Sequence, residues 1–113
     1  MDQGNQYTNL IKEALTTYAS LLTQDPNPVY EVVLLFDDEH QQYMIRKLGW
    51  KESKRINYIP LHVGLRNGKI WIEEDWTEEG IATYFLEHHV PQQDIVLGFQ
   101  PPMIRSYTEF AVA

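Results

Sequence analysis

Ile59-Pro60-Leu61-His62-Val63-Gly64-Leu65-Arg66-Asn67-Gly68-Lys69-Ile70-Trp71-Ile72-Glu73-Glu74 decides the fold class. Arg66-Asn67-Gly68-Lys69 is a strong hairpin signal, because Asn-Gly readily takes the positive φ angles of a tight two-residue turn. The flanking segments therefore pair as antiparallel strands, residues 54–66 and 69–74. Alternation places Ile59, Leu61, Val63 and Leu65 on one face of the first. Pro60 cannot donate to a ladder and marks an edge position or a bulge there.

Upstream, residues 42–50 read as a strand with Tyr43 and Ile45 on one face and Met44, Leu48 and Trp50 mostly on the other. Asp37-Asp38-Glu39-His40 is a polar turn before it. Residues 29–36, Val-Tyr-Glu-Val-Val-Leu-Leu-Phe, carry an unbroken apolar run, which predicts a central strand covered on both sides. Tyr7, Leu10, Ile11, Ala14, Leu15, Tyr18 and Leu22 recur at spacings of three and four, so residues 5–22 form an amphipathic helix. Asp25-Pro26-Asn27-Pro28 stops it.

Downstream, Asp75 or Thr77 can cap a helix over 77–89, with Glu78 and Glu79 in its first turn against the positive end of the dipole. Pro91 ends it. Ile95-Val96-Leu97 is a short fifth strand, and Pro101-Pro102 start one or two helical turns through Tyr107. The order predicts one α+β domain over residues 1–113. Its mostly antiparallel sheet has about five strands, with an N-terminal helix, a helix after strand four and a short C-terminal helix.

A chain of 113 residues can bury a core without disulfides or structural metal. Cysteine is absent, which excludes thiolate metal sites and a catalytic thiol. The polar start Met1-Asp2-Gln3-Gly4 lacks the basic and apolar regions of a signal peptide, and no apolar run approaches a membrane span, so a cytoplasmic setting is expected. The net charge of −7 makes a poor stand-alone DNA binder, since that binding rests on neutralising phosphates. The charge is uneven. Arg46, Lys47, Lys51, Lys54 and Arg55 face only Glu52 in the segment 46–55, a local +4 that leaves −11 on the remainder. A solvated hairpin with lysines blunting its edge explains this, or else a patch for an acidic surface or a phosphate backbone.

No chemical constellation is legible. Glu73, Glu74, Asp75, Glu78 and Glu79 match no metal loop, although Glu73 and Asp75 would share a strand face. His40, His62, His88 and His89 form no ligand spacing, and a histidine satisfied by a neighbour is the plainer reading of His62. Ser20, Ser53 and Ser106 lack a nucleophile context, and the glycines form no phosphate loop. Neither catalytic residue, cofactor nor metal is expected. Three Trp, seven Tyr and four Phe are a heavy aromatic inventory for this length, and core packing explains most of it. Trp50, Trp71, Trp76 and Tyr84 sit beside polar positions, a pattern suited to an interface. Phe110-Ala111-Val112-Ala113 ends the chain apolar, as a packed tail or a segment that adds to a partner's sheet.

Trp71-Ile-Glu-Glu-Asp75, Thr77-Glu-Glu-Gly80-Ile-Ala82 and Gly98-Phe-Gln-Pro-Pro102, followed by Arg105 and Tyr107, together resemble the XisI family, controlling factors for excision of the fdxN element in cyanobacteria. The likeness runs along nearly the whole chain, including the Asp37 turn, Tyr43 and Gly49-Trp50. It implies a regulatory role beside a site-specific recombinase during heterocyst differentiation. It also implies pairing with XisH, a protein resembling endonuclease folds, and supplies no catalytic residue. Asp75, Thr77, Gly80, Pro101, Pro102, Arg105 and Tyr107 match the family motif, and caps, turns and an internal ion pair for Arg105 are their structural reading.

Three functions follow. The first is a non-enzymatic regulatory protein contacting an XisH-like partner through Trp50, Trp76, Arg105 and Tyr107. The second is a small enzyme or ligand-binding domain centred on His62, Asp75 and Arg105. The third is a DNA-binding accessory factor using residues 46–55. A sheet apolar on both faces with few helices to cover it also predicts self-association.

Overall fold

The computed structural model describes residues 3–24 and 29–113, so the stop signal at Asp25-Pro26-Asn27-Pro28 lies outside the described residues. Helix α1 spans Gln3–Leu22. Its predicted stripe is the buried one: Tyr7, Ile11, Ala14 and Leu15 are in the core, with Leu10, Tyr18 and Leu22 packed at its margin.

Strands β1 (Tyr30–Asp37), β2 (Gln42–Lys51), β3 (Lys54–Arg66), β4 (Lys69–Asp75) and β5 (Ile95–Leu97) form one sheet in the order β1-β2-β3-β4-β5. The first four pair antiparallel in sequence order, while β5 runs parallel to β4. Between them come α2 (Ile81–Glu87) and a 3-10 turn, Gln92–Asp94. A last helix, α3 (Pro102–Arg105), starts on Pro102 at its first turn. The β3–β4 turn has Asn67 at φ 54° and Gly68 at φ 74°, the left-handed pair expected of Asn-Gly.

Both long helices lie on one face. Tyr43 and Ile45 of β2, Leu61, Val63 and Leu65 of β3, and Ile70 and Ile72 of β4 pack there against Ile11 and Leu15 of α1 and Ile81 and Phe85 of α2. Hydrogen bonds clasp the layers at two places. The Tyr7 hydroxyl donates to Asp94 Oδ2 (2.5 Å). Asp38 accepts from Lys12 Nζ (3.0 Å) and from the Tyr43 hydroxyl (2.9 Å), and the same ammonium lies over the Phe36 and Tyr43 rings.

Several expectations are corrected. β1 is an edge strand, not a central one, and Leu34, Leu35 and Phe36 are each more than a third exposed. Its apolar run suggests cover on both sides because period two loads both faces, but Leu35 lies on the face without helices, and at the sheet edge Leu34 and Phe36 are only partly covered on the helix side. Of the two places expected for Pro60, an edge or a bulge, it takes the bulge, in a central strand: Ile45 pairs with Leu61 and Lys47 with Tyr58, so Ile59 and Pro60 together oppose Arg46. The bulge separates Ile59 from the Leu61–Leu65 face; it is half-buried and borders a cleft with Arg46, Asn57 and Glu74. A second bulge leaves Glu73 extra between the His62–Glu74 and Val63–Ile72 pairs. Glu73 then turns toward Arg66 (3.8 Å) while Asp75 turns toward α2, so the two carboxylates do not share a face. The second helix starts at Ile81, not residue 77, and ends at Glu87, which puts Glu78 and Glu79 in the loop before it.

Candidate functional site

Asp75 ends β4 and organises the segment that follows. Its Oδ1 accepts from the Thr77 N–H (2.9 Å) and the Thr77 hydroxyl (2.6 Å), and its Oδ2 accepts from the Ile81 N–H (2.8 Å). Thr77 Oγ1 in turn accepts from the Gly80 N–H (3.1 Å). The carboxylate thus satisfies the first orphan donor of α2 from six residues upstream, the task of an N-cap side chain. Gly80, at φ 83°, takes a backbone conformation that an L side chain strains to adopt. The Trp76 N–H donates to Pro60 O (2.9 Å) and its indole Nε1 to Glu74 Oε1 (2.7 Å). The backbone of residues 75–81 is therefore fixed, and Trp76 is held outward with 72% of its surface exposed.

Two adjoining clefts flank this loop. One, of about 340 Å³, lies between the C-terminal half of α1 and α2, with Tyr18 and Tyr84 as aromatic walls and Glu78, Glu79 and Glu87 as carboxylates. The other, of about 460 Å³, has Leu21, Leu22, Tyr58, Pro60, Leu61 and Trp76 as its apolar lining. Tyr18, Leu21, Thr77 and Glu78 border both, so they are halves of one groove. Burial pushes the Tyr18 hydroxyl above the usual tyrosine value; the carboxylates of Asp75, Glu79 and Glu87 push the same way, against a hydrogen bond with Thr77. Glu78, Glu79 and Glu87, with no Lys or Arg in the same lining, make the first cleft acidic.

The C-terminal segment is fastened by Arg105. Its Nε donates to Gln100 O (3.0 Å) and Leu97 O (3.3 Å), its Nη2 to Gly98 O (3.3 Å) and its Nη1 to Val112 O (3.4 Å). The partners are backbone carbonyls, which corrects the expected pairing with an acid; a five-donor fork suits several carbonyls as well as one carboxylate. Arg105 also lies 5.3 Å from the Trp71 ring, and Arg66 covers the ring at 3.7 Å. Ala111 bridges Val96 in parallel, so Phe110 and Ala111 of the apolar tail pack within the fold while Val112 and Ala113 are exposed. On this fastened segment Phe99, Met103, Ile104 and Tyr107 stand exposed, Tyr107 at 86%.

The other predicted residues are dispersed. His62 is half-buried and its Nε2 meets Gln42 Oε1 at 2.6 Å, a histidine satisfied by its neighbour. Asp75 turns toward α2 while His62 pairs with Glu74 on the other face of the sheet, so the two are not brought together. The basic segment divides between the faces. Arg46 bonds Asn57 Oδ1 (2.9 and 3.0 Å) on the side away from the helices, and Arg55 lies 5.2 Å over the exposed Trp50 ring. Lys47 lies on the helix side over Tyr30 and Tyr58, and Lys51 and Lys54 pair at the hairpin tip. The acidic run of 73–79 gathers no ligand set. Among the described residues the one such group is Asp37, Glu39 and His40, exposed, with Asp37 and His40 bonded to each other (2.8 Å). Sequence reasoning missed the groove. Leu21 falls at helical spacing from Ala14 and Tyr18 yet is 57% exposed, and its juxtaposition with Tyr58 and Trp76 is tertiary.

Among the described residues no helix is long and apolar enough to cross a membrane. The family model for the XisI protein matches residues 1–112. A XisI-like protein from Anabaena variabilis ATCC 29413 superposes with a TM-score of 0.90 at 36% identity, over 97% of this chain and 99% of that one. The fdxN element excision controlling factor XisI from the same organism gives 0.87 at 39% identity, over 99% and 100%. No curated protein matches the chain. The chain belongs to the XisI family.

Proposed function

We propose that this XisI-family chain is a non-catalytic regulatory protein that acts through an XisH-like protein partner in the control of DNA-element excision. Its family and its likeness to an fdxN element excision controlling factor support the regulatory part. The observation that carries the partner part is Trp76, an exposed indole on a loop whose backbone is locked by Asp75 and Thr77. A large aromatic already ordered before contact loses little entropy on binding, and such residues dominate interface energetics. Tyr107 and Trp50 are displayed similarly, while Arg105 holds the segment that displays Tyr107. Direct reading of DNA has weaker support, because the cations of 46–55 point to two sides of the sheet.

Co-expression with an XisH-like protein, affinity capture and size-exclusion chromatography test this. The expected result is a stoichiometric complex that Trp76→Ala weakens by about 2 kcal/mol or more while leaving the chain folded. Absence of a complex between two folded proteins would remove the partner reading.

A further inference from the structure

We infer that the groove beside Trp76 is a two-part docking site for a basic protein segment, taking an Arg or Lys side chain between Tyr18 and Tyr84 and a neighbouring apolar side chain against Tyr58 and Pro60. This names the chemistry of a partner and rests on the protein-binding reading above. The two halves differ in a way that selects such an occupant. The first has Glu78, Glu79 and Glu87 around two aromatic rings, a setting where a guanidinium gains both ion pairing and contact with a ring face. Lys47 belongs to the second half, where its ammonium is engaged over the Tyr30 and Tyr58 rings. Burial first, and after it the carboxylates of Asp75, Glu79 and Glu87, disfavour the Tyr18 anion, against a hydrogen bond with Thr77. The second half offers Leu21, Leu22, Tyr58, Pro60 and Leu61, with Trp76 as a free-standing wall.

Charge complementarity thus commits the site to a cation, and the adjoining apolar half requires that the cation arrive on a chain bearing an apolar neighbour. A free metal ion or small amine would leave the second half unfilled. Tyr18, Leu21, Thr77 and Glu78 border both halves, so the two side chains would lie side by side along the Asp75-locked loop.

The test uses 15N-labelled full-length protein and two dipeptide amides, N-acetyl-leucyl-arginine and its neutral isostere N-acetyl-leucyl-citrulline. The expected outcome is chemical-shift change confined to Tyr18, Thr77 to Gly80, Tyr84 and the Trp76 indole with the arginine peptide. The citrulline peptide should bind several-fold more weakly, and the Glu79→Gln/Glu87→Gln double variant should lower arginine-peptide affinity by roughly fivefold. Shifts scattered over the acidic surface, or equal binding by both peptides, would overturn the inference. The readings fail separately. Localised peptide binding without an XisH-like complex removes that partner and leaves the groove. A complex insensitive to Glu79→Lys, with no localised peptide shifts, removes the groove and leaves the partner.

Discussion

Replacing Asp75 by alanine should destabilise the fold by about 3 kcal/mol, and the figure can be assembled bond by bond. The carboxylate accepts three hydrogen bonds, at 2.9, 2.6 and 2.8 Å. Ile81 is fully buried, so its N–H would lose its acceptor where water reaches poorly. That alone costs about 1–3 kcal/mol, the range for stranding a buried donor. The two bonds from Thr77 are half-exposed, and water can replace them at about 0.5 kcal/mol each. Asp75→Asn keeps one acceptor oxygen and can satisfy either Thr77 or Ile81, so it should lose about half as much. Urea unfolding followed by circular dichroism, extrapolated linearly to water, reads these differences. For a chain this long the alanine variant should melt roughly 10–15 °C lower. The reasoning is refuted if Asp75→Ala unfolds within about 0.5 kcal/mol of the parent. If asparagine proves as damaging as alanine, the charge matters and not the count of acceptors.

Gly49→Ala should lose about 2–3 kcal/mol in the same urea assay, because a Cβ there would lie 2.6 Å from Tyr30 Cα and against Val29 O, both backbone, and β1 must shift off β2; a change under about 0.5 kcal/mol would contradict so close an approach of the two strands. Asp38 is held below the usual carboxylate range by Lys12 first and then by the Tyr43 hydroxyl. A depressed folded pKa contributes stability above the unfolded value and loses it as pH falls through the folded one. Melting temperatures of the parent and Asp38→Asn should therefore differ at pH 6 and begin to converge only below about pH 4, as the pH falls toward the depressed folded value; a constant offset would exclude this origin. The exposed apolar edge at β1 predicts self-association, with Leu35→Lys shifting sedimentation toward monomer; a parent that is monomeric at micromolar concentration removes the prediction.

Local rules carry the elements that local chemistry dictates. Asn67-Gly68 fixes the β3–β4 turn, Pro102 opens α3, and the three-four stripe from Tyr7 to Leu22 locates α1 and its buried face. What fails is decided by tertiary placement. Val32 to Phe36 reads as a central strand because its composition says nothing about how many helices remain to cover it. Alternation assigns Ile59 to the core by assuming an unbroken ladder, and the Pro60 bulge breaks it. Glu78 and Glu79 resemble a first helical turn, yet Asp75 reaches across them to the Ile81 N–H. The candidate site follows the same division. Trp50 and Trp76 are identifiable as exposed aromatics and Tyr107 through the family resemblance, whereas the groove needs α1, β3 and the β4–α2 loop brought together.

The residues that carry the resemblance seen in the sequence and the residues proposed to meet a partner are interleaved but distinct. Asp75, Thr77 and Arg105 engage their polar atoms with the chain itself, and Gly80 supplies a backbone angle. Between and beside them Trp76, Glu78, Glu79, Met103 and Tyr107 point to solvent. The motif is thus a support for two displayed segments, one after β4 and one around α3. Support and display should separate experimentally. Loss of Asp75 should lower stability and partner affinity together, because Trp76 is then presented by a loosened loop. Loss of Trp76 should lower affinity alone, since its ring is largely solvated and its N–H to Pro60 is a backbone bond that alanine keeps. Equal destabilisation by the two would mean that the indole holds the loop together, and its exposure would cease to argue for a partner.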